Sequence, residues 1–166
     1  MQQDKEIKTI KIQFDRIEVG NMPTAWTGSF IALLESSEKI TDSDSIKNFE
    51  YFRVKLMLRG MALECHMKTL VILKGTKMLD VAGKLNNLKI KSHDLKALST
   101  FLDIQVSDEE TSMLNILSDA IELGRYPVTA KDKQTGKYWI LPTFENLFYL
   151  FIKKVDNLID TETANA

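Results

Sequence analysis

The spacing of apolar residues predicts helices along most of the chain. Trp26, Phe30, Leu33, Leu34 and Ile40 fall on one face of a helix that opens at Asn21-Met22-Pro23-Thr24 and leaves through the polar run Ser36-Ser37-Glu38-Lys39. Proline suits that start, because in a first turn its missing N–H would have had no partner. Upstream, between Glu6 and Val19, two periods compete. Ile7, Ile10, Phe14 and Ile17 are spaced as in a helix, whereas Ile10, Ile12 and Phe14 alternate as in a strand, and helix is the preferred reading. Thr41 to Ser45 is a short break of residues suited to capping. The pattern then runs unbroken from Ile46 to Lys74, a helix on the order of 40 Å long. Gly60 inside it costs roughly 1 kcal/mol against alanine, so it marks either a kink or a close approach by another helix. Gly75 supplies the stop.

The second half divides in the same way. Thr76 to Lys91 has weak periodicity and sets Lys77, Lys84, Lys89 and Lys91 against one acid, Asp80, making it the main basic segment. Ser92 is suited to cap a helix containing Leu95, Leu98, Phe101 and Leu102. Ser107 and Glu110 form a capping box for a helix carrying Met113, Leu114, Leu117 and Ile121, which Gly124 ends. Tyr126, Val128, Tyr138, Trp139 and Ile140 flank the polar turn Asp132 to Gly136, the pattern of a small hairpin. The last helix begins at Pro142-Thr143 and carries the stripe Phe144, Leu147, Phe148, Phe151, Val155, Leu158 and Ile159. The expected fold is all-α: an up-down helical bundle of four to five helices with a hairpin-like insertion near 126–141. Residues 1–159 form one domain, and 160–166 a flexible C-terminal tail.

Composition narrows the function classes. The 166 residues are 44% hydrophobic, enough for one sizeable core, and 22 basic against 23 acidic side chains give a net charge of -1. A polycationic nucleic-acid coat is therefore excluded, though a local basic patch is not. One cysteine, Cys65, and two histidines, His66 and His93, argue against a disulfide or a structural zinc site, so neither metal nor cofactor is expected. The opening residues carry charges throughout, and the longest apolar run elsewhere, Leu147 to Ile152, is far short of a membrane span. A soluble, cytoplasmic protein without a membrane contact is expected.

No phosphate-binding glycine loop, paired-histidine metal motif or nucleophile elbow is present, which disfavours ordinary metabolic catalysis. Three clusters remain. Glu64 and Lys68 lie four apart and share a helix face, and steps of three and four from Glu64 reach Met57, Met61 and Val71. The two are placed to form a half-buried structural ion pair or part of a site. Arg59 and His66 share another face about 10 Å apart along the axis, able to flank a phosphate. In Ser92-His93-Asp94-Leu95, His93 falls at a helix start among free N–H groups, a setting for a base, an acceptor or a hydrogen bond to a nearby loop. In Gly124-Arg125-Tyr126-Pro127, glycine and proline hold a corner from which Arg125 can grip a phosphate and Tyr126 can stack on a base. Alternatively, Arg125 ties the corner to a carboxylate such as Glu64 or Asp94.

In order and spacing, Arg59-Gly60-x-Ala62-Leu63-Glu64-x-x-x-Lys68, then His93-Asp94-Leu95 with Leu98, then Arg125-Tyr126-Pro127 resemble the HEPN superfamily (higher eukaryotes and prokaryotes nucleotide-binding). The likeness spans Gly60 to Pro127. It implies an all-α bundle, often a homodimer, of RNA-processing, toxin–antitoxin and antiviral systems, with nucleotide or RNA as ligand. A cognate antitoxin or a nucleotidyltransferase-like protein is the implied partner. Nuclease members resemble one another in an arginine, a polar residue and then a histidine on the last long helix, and Thr143 to Ile159 here contains neither arginine nor histidine. Arg59 and His66 meet the bare spacing with six residues between, but Gly60 replaces the polar residue and the helix is an earlier one.

Three readings follow. The first is a HEPN-like nucleotide- or RNA-binding protein using Glu64, Lys68, His93, Asp94, Arg125, Tyr126 and the lysines Lys84, Lys89 and Lys91. The second is a metal-independent endoribonuclease, with His93 and Arg125, or Arg59 and His66, as catalytic pairs. A histidine would withdraw the proton of the 2′-hydroxyl while an arginine neutralises the phosphate. The third is a non-catalytic protein–protein interaction module presenting Phe144, Phe148 and Phe151 with Tyr138 and Trp139.

Overall fold

A computed structural model describes residues 15–41, 49–79, 84, 93–124 and 143–165. Among these the fold is all-α, with six helices: α1 Arg16–Gly20, α2 Pro23–Glu38, α3 Phe49–Leu73, α4 Leu95–Phe101, α5 Asp108–Gly124 and α6 Phe144–Ala164. The expected polar break at 42–45, the hairpin at 126–141 and the ambiguous segment before Asp15 lie outside the described residues.

Local chemistry accounts for most of the boundaries. Asp15 caps α1 by accepting from the N–H groups of Ile17 and Glu18. Pro23 occupies the first turn of α2, as its sequence predicts. Ser107 and Glu110 form the expected capping box, with reciprocal bonds of 2.8 and 3.1 Å. The long helix α3 ends at Gly75, whose φ of +82° reverses the chain, and the bonds from Gly75 N to Ile72 O and from Thr76 N to Val71 O complete a Schellman motif. Leu102 to Ile104 closes α4 in the same way with Asp103 in the left-handed position at φ 58°, a conformation the sequence does not advertise.

Two expectations are corrected. The cap of α4 is Asp94, which accepts from Ala97 N at 2.8 Å, so Ser92 is not the cap and His93 precedes the helix instead of standing in its first turn. The last helix also continues past Asp160 to Ala164 instead of giving way to a tail at 160. Thr161 and Thr163 bond back to the carbonyls of Asn157 and Ile159, so their hydroxyls are satisfied within the helix.

Helix α3 is the axis of the bundle, packing most extensively on α2 and then on α5, α6 and α4. The pairing of Thr27 with Thr69 and of Phe30 with His66 sets α2 antiparallel to it, whereas the pairing of Arg59 with Glu145 and of His66 with Asp156 sets α6 parallel. The core joins Leu63, Met67, Leu70 and Val71 of α3 to Met113, Leu114, Leu117 and Ile121 of α5 and to the α6 stripe Phe144, Phe148, Phe151 and Val155. Those phenylalanines are therefore buried packing residues, and the large apolar side chains that α6 exposes are Tyr149 and Leu150. Asn21 ties the α1–α2 corner to the segment after α3 by exchanging two hydrogen bonds with the Leu79 backbone.

Gly60 resolves as a close approach. α3 runs through it unbroken, and a Cβ there would stand 2.8 Å from both the Leu117 carbonyl oxygen and Ile121 Cγ1 of α5. Gly60→Ala should therefore destabilise the protein by about 1–3 kcal/mol despite alanine's better helix propensity, because backbone must move. Asp103→Gly should have the opposite sign, raising stability by about 0.5–1 kcal/mol by relieving the left-handed backbone. Urea denaturation of each variant beside the parent checks both signs.

Candidate functional site

Helix α3 brings charge into the core. Glu64 and Lys68 are 5% and 6% exposed, and the predicted i, i+4 pair forms with Lys68 Nζ on Glu64 Oε1. The indole of Trp26 on α2 lies 5.1 Å from the same ammonium, a cation–π contact. The second carboxylate oxygen, Oε2, lies 2.8 Å from Nδ1 of His93. Both oxygens of a buried carboxylate are thus engaged, one by a cation and one by an imidazole.

His93 reaches this position because Asp94 caps α4 and leaves the preceding residue outside the helix. The Leu95 N–H that would otherwise be an orphan of the first turn is taken by Ser118 Oγ of α5, which in turn donates to the Leu114 carbonyl. α4 is thereby docked on α5, and His93 lies over α3 with its side chain 31% exposed. The resulting cleft, about 600 Å³, is lined by His93, Asp94, Asn115, Ser118, Asp119 and Glu122.

The four α5 residues lie at steps of three, one and three, a single helix face. Sequence reasoning missed them. Their signal was the polar side of an amphipathic helix, which looks the same whether it faces bulk water or a cleft.

The remaining sequence candidates separate. Arg59 is 3% exposed, with Nη1 on Glu145 Oε1 at 2.6 Å and its guanidinium 5.1 Å from the Phe148 ring. His66 is also 3% exposed, stacked on Phe30 at 4.0 Å, with Nε2 2.8 Å from Asp156 Oδ1 in an ion-pair contact that lies off the N–H direction. Each of the two faces α6 in the core, so neither lines the cleft. Lys84 is exposed. Arg125, Tyr126, Lys89 and Lys91 lie outside the described residues. Cys65, beside Glu64, has its thiol pushed up to about 11 by burial and by the Glu64 charge, against the opposing effect of Lys68, which leaves it a poor nucleophile at neutral pH.

Among the described residues no group of three or more His, Cys, Asp or Glu is placed to hold a metal, and no helix is long and apolar enough to cross a membrane. Compared with known proteins, the chain matches no family profile, no curated protein and no solved structure.

Burial pushes the His66 imidazole below its ordinary value, while Asp156 acts in the opposite direction. The unfolded chain therefore takes up a proton near pH 6.5 that the folded chain accepts only at lower pH, so folding stability falls as pH drops through that window. Melting temperatures measured between about pH 7.5 and 5.5 should decline for the parent and decline less for His66→Gln. Parallel curves would show that His66 does not carry this dependence.

Proposed function

We propose that this chain is a HEPN-like RNA- or nucleotide-binding domain whose ligand enters the cleft at His93. The observation that carries the reading is the array Lys68–Glu64–His93: a buried, charge-matched carboxylate that grips one nitrogen of a half-buried histidine at the wall of a cleft. A carboxylate buried for packing alone would be satisfied by its lysine and by backbone donors. Here it orients a titratable ring at a cavity, the arrangement expected of binding and catalytic sites.

In this reading His93 and Asp94 contact the ligand, and Glu64 and Lys68 hold His93 in place. Arg125 and Tyr126, from the corner that resembles the family, and Lys84, Lys89 and Lys91, from the basic segment, are the phosphate- and base-contacting residues. The same resemblance suggests a homodimer within a toxin–antitoxin or antiviral system, with an antitoxin or nucleotidyltransferase-like partner.

One feature favours a second reading, a metal-independent endoribonuclease. A histidine whose Nδ1 is held by a carboxylate has its other nitrogen presented for proton transfer, the relation by which such pairs act as general bases. His93 would withdraw the 2′-hydroxyl proton, and Arg125 would neutralise charge on the phosphate.

Fluorescence anisotropy with labelled RNA tests binding, and a denaturing-gel time course in excess chelator tests cleavage. His93→Ala should weaken RNA binding about tenfold, the loss of one good hydrogen bond, and lower stability by about 1–3 kcal/mol because buried Glu64 Oε2 loses its partner, so affinity is compared well below the variant's melting temperature. Unchanged affinity would remove the cleft from the binding site. Cleavage that is present in the parent and lost in His93→Ala would establish the nuclease reading over binding alone.

A further inference from the structure

The wall of the cleft is built mostly from groups that accept hydrogen bonds, with the Asn115 amide adding donors at its α5 edge. Glu64 has Oε1 on the Lys68 ammonium and Oε2 on His93 Nδ1. Lys68 supplies the one positive charge that the buried carboxylate requires, so what remains for the imidazole is to donate an N–H. A neutral ring carrying its hydrogen on Nδ1 has the lone pair on Nε2, and among the described residues that nitrogen takes no partner.

The carboxylates beside it share this polarity, and Asn115 offers an amide oxygen as well as its N–H donors. Asp94, Asp119 and Glu122 accept only, and the Ser118 hydroxyl is already spent on Leu95 N and Leu114 O. Asp119 and Glu122 have contacts of their own, so the weight of recognition falls on His93. A phosphate placed against His93 would meet the like charge of the adjoining Asp94 carboxylate. The part of a nucleotide that fits it is the part bearing donors.

We infer that the cleft takes the nucleoside portion of its ligand, with a sugar hydroxyl or an exocyclic base amine donating to Nε2 of His93, and that Glu64 is the positioning residue that sets this acceptor by holding Nδ1–H. Phosphate is left to residues outside the wall. The inference rests on the proposed nucleotide or RNA function and assigns which half of the nucleotide the His93 cleft reads.

Binding of short oligoriboadenylate, oligodeoxyadenylate and oligoriboinosinate to the full chain separates the two donor sources, since the second probe lacks the 2′-hydroxyl and the third lacks the exocyclic amine. The riboadenylate should bind at least about tenfold tighter than one of the other two, because a site built to pair a donor rejects the analogue without it. His93→Ala should erase that difference, and millimolar inorganic phosphate should not compete.

Nitrogen–proton correlation NMR supplies a readout that a merely structural Glu64 would not move. The parent should show His93 protonated at Nδ1, and the double variant Glu64→Gln, Lys68→Met, which removes both buried charges together, should lose that fixed tautomer. Equal binding of all three oligonucleotides, competition by phosphate, or an Nε2–H tautomer in the parent overturns the inference while leaving RNA binding itself standing. Failure of every oligonucleotide to bind overturns both.

Discussion

Glu64 carries a negative charge into the helix against which four other helices pack, and the surrounding structure has to answer it. An isolated carboxylate at this depth would cost several kcal/mol in lost hydration, so both of its oxygens need partners brought from different parts of the chain. Lys68 comes from one turn along the same helix, and His93 comes from the residue before α4. Trp26 of α2 then covers the lysine with its ring and spends its own N–H on the Gly20 carbonyl at 3.0 Å. Four segments are thus placed by the demands of one buried charge.

The same helix makes two more polar commitments on its opposite side. Arg59 reaches Glu145 and the Phe148 ring, and His66 packs between Phe30 and Asp156, so the register of α6 against α3 is specified by paired groups as well as by apolar fit. Gly60 lets α5 approach between these sets closely enough for backbone contact. α3 therefore has no single polar face. Its charges point towards whichever neighbour can pair with them, which is how a helix so rich in Arg, Lys, Glu and His occupies the centre of the core.

The difference between the two histidines follows from these surroundings. His66 is enclosed, 3% exposed with neither ring nitrogen hydrogen-bonded among the described residues, and acts as a packing residue sensitive to protonation. His93 is gripped from beneath and open to a cleft from above, so the same side chain becomes available to a ligand. Burial of the partner carboxylate, with exposure of the ring, makes the second arrangement suited to recognition.

The helices, most of their caps and the composition of the core were legible in the sequence because they depend on neighbours three and four residues apart; the two ends of α4, capped by Asp94 and closed by a left-handed Asp103, were the exception. The Pro23 start, the Ser107–Glu110 box, the Gly75 stop and the stripe on α6 are all local chemistry, and so was the Glu64–Lys68 pair. Even Gly60 declared itself as an exception within a helix, although only the structure chose a close approach over a kink. What tertiary structure alone decided were the long-range pairings: His93 on Glu64, Trp26 over Lys68, Arg59 and His66 turned towards α6, and the polar side of α5 made into one wall of a cleft. These join residues that chain spacing cannot relate, since whether a polar side chain meets water or a buried partner depends on which helix packs across from it.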